Sequence, residues 1–214
     1  MKKAILCAAV AGIAAAASAQ TGSLSIVASQ ATVDWTTTSS FTLSVFGDAD
    51  FGSHLAGGAF AINSTGIGSG AINDMVGSAA AWGGLGEEDQ GYAGGGTYNG
   101  LIFGQVIFLP FIAPDAASAL GSGPVLLGSV VVSIDPGTNG VIDFTTAEVQ
   151  GVNDIFVLEV FDDAANPGGN PPGESTQLFD ASIDFGSTSV NLIPAPSAMA
   201  LLGLGGLVAG RRRR

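Results

Sequence analysis

Apolar and polar residues alternate in short stretches along most of this chain, as they do in β-strands that are buried on one face. The clearest stretch is residues 41–45, where Phe41, Leu43 and Val45 fall on one face and Thr42 and Ser44 on the other. Stretches of this kind, enriched in β-branched or aromatic residues, cover residues 24–27, 32–35, 41–46, 59–62, 101–109, 125–134, 141–146, 155–161, 177–185 and 189–193. The pattern predicts about nine or ten short strands.

Helical periodicity is weak between these stretches. Residues 72–81 and 113–120 are compatible with a helical turn or two, but glycine interrupts both neighbourhoods. Residues 135–140 read Asp-Pro-Gly-Thr-Asn-Gly, which predicts a hairpin between residues 130–134 and 141–144. Residues 83–100 and 162–175 predict two long loops, which are either binding surfaces or solvated spacers.

These elements together predict an all-β fold, an antiparallel β-sandwich, and a jelly roll fits them almost as well. The strands at Leu126–Ile134 and Val141–Phe144 resemble those of cohesin-like β-sandwiches of secreted bacterial proteins. That resemblance implies an architecture and no ligand.

Charge is distributed very unevenly along the chain. All 6 basic side chains lie at the two ends, at Lys2 and Lys3 and in the final arginine cluster, whereas all 18 carboxylates lie between them. Such a body repels nucleic acid, anionic polysaccharide and anionic lipid. Because the carboxylates have no internal cationic partner, we expect salt or calcium to stabilise the fold.

The N-terminal segment has the parts of a secretory signal: two lysines, an apolar run over residues 4–17, and a small-residue site at Ala17 and Ala19 before Gln20. We expect the secretion machinery to export the chain and signal peptidase to cleave it before Gln20. The alternative is a permanent anchor, but the apolar run is short for a span of about 20 residues. Cleavage removes Cys7, which excludes disulfides and cysteine nucleophiles from the mature protein.

The C-terminal segment combines two prolines, an apolar run over residues 198–210 and four arginines. The run makes about 20 Å of helix, which is shorter than the roughly 30 Å hydrocarbon core, so a span needs help from flanking residues. We expect the arginines to stay on the cytoplasmic side of the membrane. These membrane-flanking residues are Arg211, Arg212, Arg213 and Arg214.

Residues 193–214 resemble the PEP-CTERM sorting tail of bacterial envelope proteins, which is also labelled an ice-binding protein C-terminal domain. The motif carrying the resemblance is Pro194, Ala195 and Pro196 before the apolar run and the arginines. The resemblance implies transient anchoring by the C-terminal helix, processing by an exosortase-type membrane protease, and association with extracellular polysaccharide. Ala195 stands where many members have glutamate, which leaves a plain tail anchor as the alternative.

The two terminal segments divide the chain into three parts. These are a signal peptide over residues 1–19, an acidic β-sandwich domain over residues 20–191 and a sorting tail over residues 192–214. A signal helix and a C-terminal hydrophobic helix are expected to flank the sandwich. The protein is therefore expected to be exported, and either held at the cell envelope by residues 198–210 or secreted.

Candidate chemistry in the body is sparse. Asp48 and Asp50 alternate beside glycines, a spacing that can direct oxygen atoms at calcium, although a solvated turn explains them as well. The carboxylates at residues 87–89 and 162–163 are interpreted as solvated loops. His54 has no cysteine, lysine or arginine with which to act and is interpreted as structural.

The sequence therefore favours a non-enzymatic envelope or matrix protein that needs no cofactor. One alternative is a carbohydrate-binding module that stacks sugars on Trp35, Trp82, Tyr92 or Tyr98. Another is a glycoside hydrolase, because that reaction needs just two carboxylic acids about 5 to 9 Å apart.

Overall fold

The computed structural model describes residues 20–105, 113–149, 155–169 and 172–194. These residues form two β-sheets packed face to face, and buried side chains from both sheets make one core. The prediction of an all-β, antiparallel β-sandwich is confirmed. The expected signal helix and C-terminal hydrophobic helix lie outside the described residues.

Fourteen strands build the described part of the chain. In chain order they are β1 (Gly22–Ala28), β2 (Thr32–Asp34), β3 (Ser40–Ala49), β4 (His54–Thr65), β5 (Ile72–Ala79), β6 (Glu88–Asp89), β7 (Tyr92–Gly94), β8 (Thr97–Gly104), β9 (Val125–Ile134), β10 (Gly140–Ala147), β11 (Leu158–Asp162), β12 (Glu174–Leu178), β13 (Ile183–Phe185) and β14 (Ser187–Ile193). Sheet A has the order β13-β1-β3-β9-β5. Sheet B has the order β12-β11-β4-β10-β14-β2, with β8 paired to β4, and with β6 and β7 paired to β8.

The first and last segments of the sandwich run side by side in the same direction. Strand β1 pairs in parallel with β13 in sheet A, and β2 pairs in parallel with β14 in sheet B. Both segments therefore pass from sheet A to sheet B as they proceed. Gln20 and Pro194 consequently lie at opposite ends of the sandwich.

The core of the sandwich is formed by side chains at alternate positions along the strands. In β3 the side chains of Phe41, Leu43 and Val45 are buried, while the intervening positions are half-buried on the outer face. Phe41 of sheet A meets Phe144 of sheet B edge to face, with ring centroids 5.8 Å apart. Leu192 of β14 is fully buried as well, so the sandwich extends to the last described residues.

Residues 72–81, which are compatible with a helical turn or two in the sequence, instead contain the edge strand β5 at Ile72–Ala79. Its pairing with β9 is interrupted by a bulge between Ile72 and Asp74. A bulge shifts the alternation of buried and exposed residues by one position, which hides the strand in the sequence pattern. Residues 113–120, which are also compatible with a helical turn, contain one 3-10 turn, Ala116–Ser118.

The predicted hairpin at residues 135–140 is wrong. This turn joins β9 of sheet A to β10 of sheet B, so the strands on its two sides do not pair with each other. Gly137 and Gly140 nevertheless adopt positive φ values of 105° and 142°, which glycine tolerates in a turn. The predicted long loop at residues 83–100 contains β6, β7 and the start of β8.

The helices within the described ranges are short 3-10 turns, and none of them is long and apolar enough to cross a membrane.

Candidate functional site

The outward side of sheet A carries a group of exposed apolar side chains. We call this side the exposed face of sheet A. Its exposed members are Val27 on β1, Val76 on β5, and Leu126 and Val131 on β9, with exposed fractions of 55%, 52%, 41% and 43%. Apolar surface concentrated on one face is typical of an interaction site.

Strand register brings these side chains together in two separate pairs, while Val27 lies opposite Ser44. Val76 lies opposite Val131, and Leu126 lies opposite the half-buried Phe46. Adjacent strands are about 4.8 Å apart, so each such pair is in reach of contact. Most of the remaining outward positions on these strands are hydroxyl residues, namely Ser23, Ser25, Thr42, Ser44, Ser78, Ser129 and Ser133.

An acidic depression lies at one end of this face. Ser23 of β1 is paired with Asp48 of β3 on one side and with Asp184 of β13 on the other. The depression has a volume of about 220 Å³. Its lining residues are Thr21, Gly22, Ser23, Asp48, Ala49, Asp50 and Asp184. Asp48 and Asp50 thus both line the depression, together with Asp184.

Two of the three carboxylates of this depression, those of Asp48 and Asp50, accept hydrogen bonds from the chain. The Asp50 carboxylate accepts hydrogen bonds from the N–H of Thr21 at 2.9 Å and from its hydroxyl at 3.1 Å. Asp48 accepts one from the N–H of Ala49 at 2.9 Å. Within the described ranges, no group of three or more His, Cys, Asp or Glu residues is arranged to hold a metal ion. Calcium binding by Asp48 and Asp50 stays a prediction.

The four candidate sugar-stacking aromatics do not form an exposed row. Trp82 and Tyr98 are buried, and the Trp82 indole N–H donates to the carbonyl of Leu126 at 2.7 Å. Trp35 and Tyr92 are half-buried and pack against the core. These rings contribute mainly to packing of the sandwich.

Titratable side chains that a catalytic site would need are dispersed in the described structure. His54 is half-buried at the start of β4, and its Nδ1 lies 3.1 Å from the Ser53 hydroxyl oxygen. Burial raises the pKa of the Glu159 carboxyl on β11, and the Ser175 hydroxyl partly opposes that shift. A hydrolase needs a second acid facing Glu159, and no such pair emerges from the described contacts.

The carboxylates at residues 87–89, interpreted as a solvated loop, are exposed, and those of Glu87 and Asp89 also accept hydrogen bonds from the chain. Glu87 accepts a hydrogen bond from the N–H of Ala79 at 2.8 Å. Asp89 accepts one from the N–H of Gly77 at 3.0 Å and one from the buried Tyr98 hydroxyl at 2.7 Å. Burial, this hydrogen bond and the negative charges of Asp89 and Glu87 raise the pKa of Tyr98 far above its ordinary value.

The predicted processing residues fall mostly outside the described ranges. Gln20 is exposed at the start of the sandwich, and Pro194 follows β14 at its other end. The remaining members are Ala17, Ala19, Ala195, Pro196, Arg211, Arg212, Arg213 and Arg214, and their roles stay predictions.

Comparison with known proteins gives structural likeness without sequence likeness. No family model matches the sequence, and no curated protein matches it. A type I cohesin, the seventh of ScaB from Pseudobacteroides cellulosolvens, is 8% identical with a TM-score of 0.48, covering 80% of this chain and 93% of the cohesin. A type I cohesin–dockerin complex from Clostridium thermocellum gives 10% identity and a TM-score of 0.39, covering 80% of this chain and 99% of that one.

Proposed function

We propose that this protein is an exported, non-enzymatic module of the cell envelope or extracellular matrix that binds a protein partner through the exposed face of sheet A. The observation that carries the proposal is the group of exposed apolar side chains on adjacent strands of that sheet. Val76, Val131 and Leu126 are branched, and the sheet backbone holds them rigidly, so they can be buried with little loss of conformational freedom.

The chemistry of the partner follows from charge. The described strands carry no lysine or arginine, and Asp48 and Asp184 mark one end of the face. A complementary partner has an apolar patch with lysine or arginine at its border. Nucleic acid and anionic polymers would be repelled by the same carboxylates.

The non-enzymatic part of the proposal rests on how the candidate groups are used. Trp82 and Tyr98 are buried, which does not support a stacking platform for sugars. The carboxylate of Asp50 is bonded to Thr21, which does not support a free pair of catalytic acids. The side chains that register pairs on this face, Val76 with Val131 and Leu126 with Phe46, are not titratable, which suits binding better than chemistry.

Export and sorting are part of the same proposal. Signal peptidase would cleave before Gln20, and an exosortase-type protease would act on the tail that contains Pro194, Ala195 and Pro196. Because Gln20 and Pro194 lie at opposite ends of the sandwich, a membrane-held tail would present the acidic depression away from the bilayer. Intact-mass spectrometry of the envelope fraction tests this: a mature chain beginning at Gln20 is expected, and a species retaining residues 1–19 would reject cleavage.

Site-specific photo-cross-linking in the native host tests the binding face. A photo-reactive amino acid replaces Val131 in the full-length chain, and a matched control replaces Val141. Val141 is exposed to the same degree, 44% against 43%, but lies on β10 of sheet B. We expect Val131 to cross-link to one defined protein and Val141 to give no such product.

A second substitution makes the test specific. Val131→Asp places a charge directly opposite Val76 without altering the core, because the Val131 side chain is exposed on the outer face. We expect at least tenfold less cross-linking from a photo-reactive residue at Val76, as for loss of a central interface residue. Equal cross-linking from Val131 and Val141, or an unchanged yield in the Val131→Asp chain, would contradict the proposed interface.

A further inference from the structure

Gln20 lies at the boundary of the folded sandwich. The residue is exposed, and within the described ranges neither its carboxamide nor its backbone nitrogen takes part in a hydrogen bond. Signal peptidase cleavage before this residue turns the backbone nitrogen into a free α-amine, so the modification inferred for Gln20 rests on that part of the proposed function. Residue 20 then carries an amine and a carboxamide that no hydrogen bond to the sandwich occupies.

The folded contacts begin at the next residue. The Thr21 N–H donates to the Asp50 carboxylate at 2.9 Å, and the Thr21 hydroxyl donates to it at 3.1 Å. The Thr21 carbonyl accepts a hydrogen bond from the Asp50 N–H at 3.1 Å. Strand β1 follows from Gly22 and is paired on both sides, with β3 and with β13. None of these contacts uses the α-nitrogen or the side chain of Gln20, so the fold tolerates a covalent change confined to that residue.

A glutamine with a free α-amine can react with itself. The neutral amine attacks Cδ of the side-chain carboxamide; the N–Cδ bond forms, the bond from Cδ to the amide nitrogen breaks, and ammonia leaves with the proton that the amine gives up. The product is a five-membered lactam, pyroglutamate. Because both groups belong to one residue, the reaction is intramolecular and needs no oxidant, reductant or second substrate. The ordinary pKa of an α-amine is about 8, which leaves a neutral, reactive fraction near pH 7.

We propose that Gln20 is a modification site, at which the mature protein closes its own N-terminus as pyroglutamate after signal cleavage. Lys2 and Lys3 are the only lysines of the chain, and both leave with the signal peptide. The α-amine at residue 20 is therefore the one primary amine of the mature chain. Once this amine is part of the lactam, the mature protein has no primary amine.

Closing the ring also changes the charge near the acidic depression. Thr21 lines that depression, so the α-ammonium of an open Gln20 would stand one residue away from its wall. Lactam formation removes this positive charge. The body between residues 20 and 194 has no lysine or arginine to replace it. A cation for Asp48, Asp50 and Asp184 must then come from solvent or from the basic border of the proposed partner.

Amine labelling of the intact protein tests the proposal. The envelope fraction of the native host, which expresses the full-length chain, is treated with formaldehyde and cyanoborohydride before digestion. Any free amine at residue 20 is thereby dimethylated and cannot close during handling. The matched control is Gln20→Asn, which keeps a carboxamide one methylene shorter, so that the corresponding lactam would be a strained four-membered ring. Mass spectrometry then identifies the N-terminal peptide of each chain.

We expect the wild-type peptide to begin at residue 20, to carry no label and to be lighter than the open glutamine peptide by one ammonia. The closed form should exceed the labelled form at least tenfold, whereas the Gln20→Asn peptide should be labelled almost completely. Anion-exchange chromatography of the unlabelled mature chains at about pH 6 gives an independent readout. The control has one additional positive charge there and should elute at lower salt than the wild type.

A wild-type peptide that begins at Gln20 with a dimethylated amine would overturn the cyclisation and leave signal cleavage intact. Equal elution of the two mature chains would overturn it as well. Retention of residues 1–19, or a mature chain that begins at another residue, would instead refute the cleavage itself, and the lactam with it.

Discussion

Replacing Tyr98 by phenylalanine is the sharpest test of the link between the two sheets. The tyrosine ring is buried in the core, and its hydroxyl donates to Asp89 at 2.7 Å. Phenylalanine keeps the packing of the ring and removes just this bond. Asp89 keeps its hydrogen bonds from the N–H groups of Gly77 and Gly91. The change in stability therefore reports the hydroxyl–carboxylate bond.

The expected loss of stability in Tyr98→Phe follows from the negative charge of the acceptor, the Asp89 carboxylate. A hydrogen bond to a charged group contributes about 1.5 to 3 kcal/mol to the free energy of unfolding. For a chain of this length that corresponds to a fall in melting temperature of roughly 3 to 12 °C. Urea denaturation at pH 7, followed by circular dichroism, measures the loss. Tyr92→Phe is the control and should cost about 1 kcal/mol or less, because the Tyr92 hydroxyl bonds neutral backbone groups of Ile72 and Gly96.

The pH dependence gives a second readout. Folding raises the pKa of Tyr98, through burial first and then through Asp89 and Glu87. The Tyr98 hydroxyl contributes fully to the free energy of unfolding at pH values below about 10, the pKa of tyrosine in the unfolded chain. This contribution falls at higher pH, because tyrosine in the unfolded chain loses its proton at lower pH than Tyr98 in the folded chain. The difference in the free energy of unfolding between the wild type and Tyr98→Phe should therefore decrease by about 1.4 kcal/mol between pH 8 and pH 11. If the two proteins differ by less than about 0.5 kcal/mol in their free energy of unfolding at pH 7, the Tyr98–Asp89 bond does not contribute as proposed. An increase of that difference with pH would contradict the proposed pKa shift.

Three other outcomes are expected. Gly77→Ala should destabilise the fold by about 1 to 3 kcal/mol in urea denaturation, because a Cβ there overlaps the Tyr98 hydroxyl, whereas Gly70→Ala, with open space around it, should have little effect. Glu159→Gln should raise stability at neutral pH, since the raised pKa means that the ionised carboxyl opposes folding, and the gain should exceed that of the exposed Glu88→Gln and vanish below about pH 4. Calorimetry should give a higher melting temperature in high salt with calcium than in dilute EDTA; equal values would contradict self-repulsion among the carboxylates.

The sequence predicts strands well where one face is buried. Residues 125–134 are predicted as a strand and form β9 over the same residues, because the buried side chains impose a period of two. Strand β5 is missed because its bulge breaks that period and because Gly77 has no side chain to mark a face. A glycine is needed at position 77 because the Tyr98 hydroxyl, 21 positions further along the chain, occupies the space that a Cβ would take.

The candidate site was partly visible in the sequence. Val131 lies between Val130 and Val132 in a continuous apolar run, so one member had to face outward if the run was a strand. The same holds for Leu126 beside Leu127. Which runs become neighbours on one face depends on strand order, and strand order is set by pairing between segments far apart in the chain. Periodicity carries no information about that pairing.

The parallel terminal strands have a mechanical consequence. Gln20 and Pro194 lie at opposite ends of two strand pairs that run in the same direction, β1 with β13 and β2 with β14. A tensile force applied between the termini is therefore directed along these strands, and it loads their hydrogen bonds in shear, all at once, instead of opening them one at a time. A module tethered by one terminus and pulled at the other would resist extension until both pairs slide together.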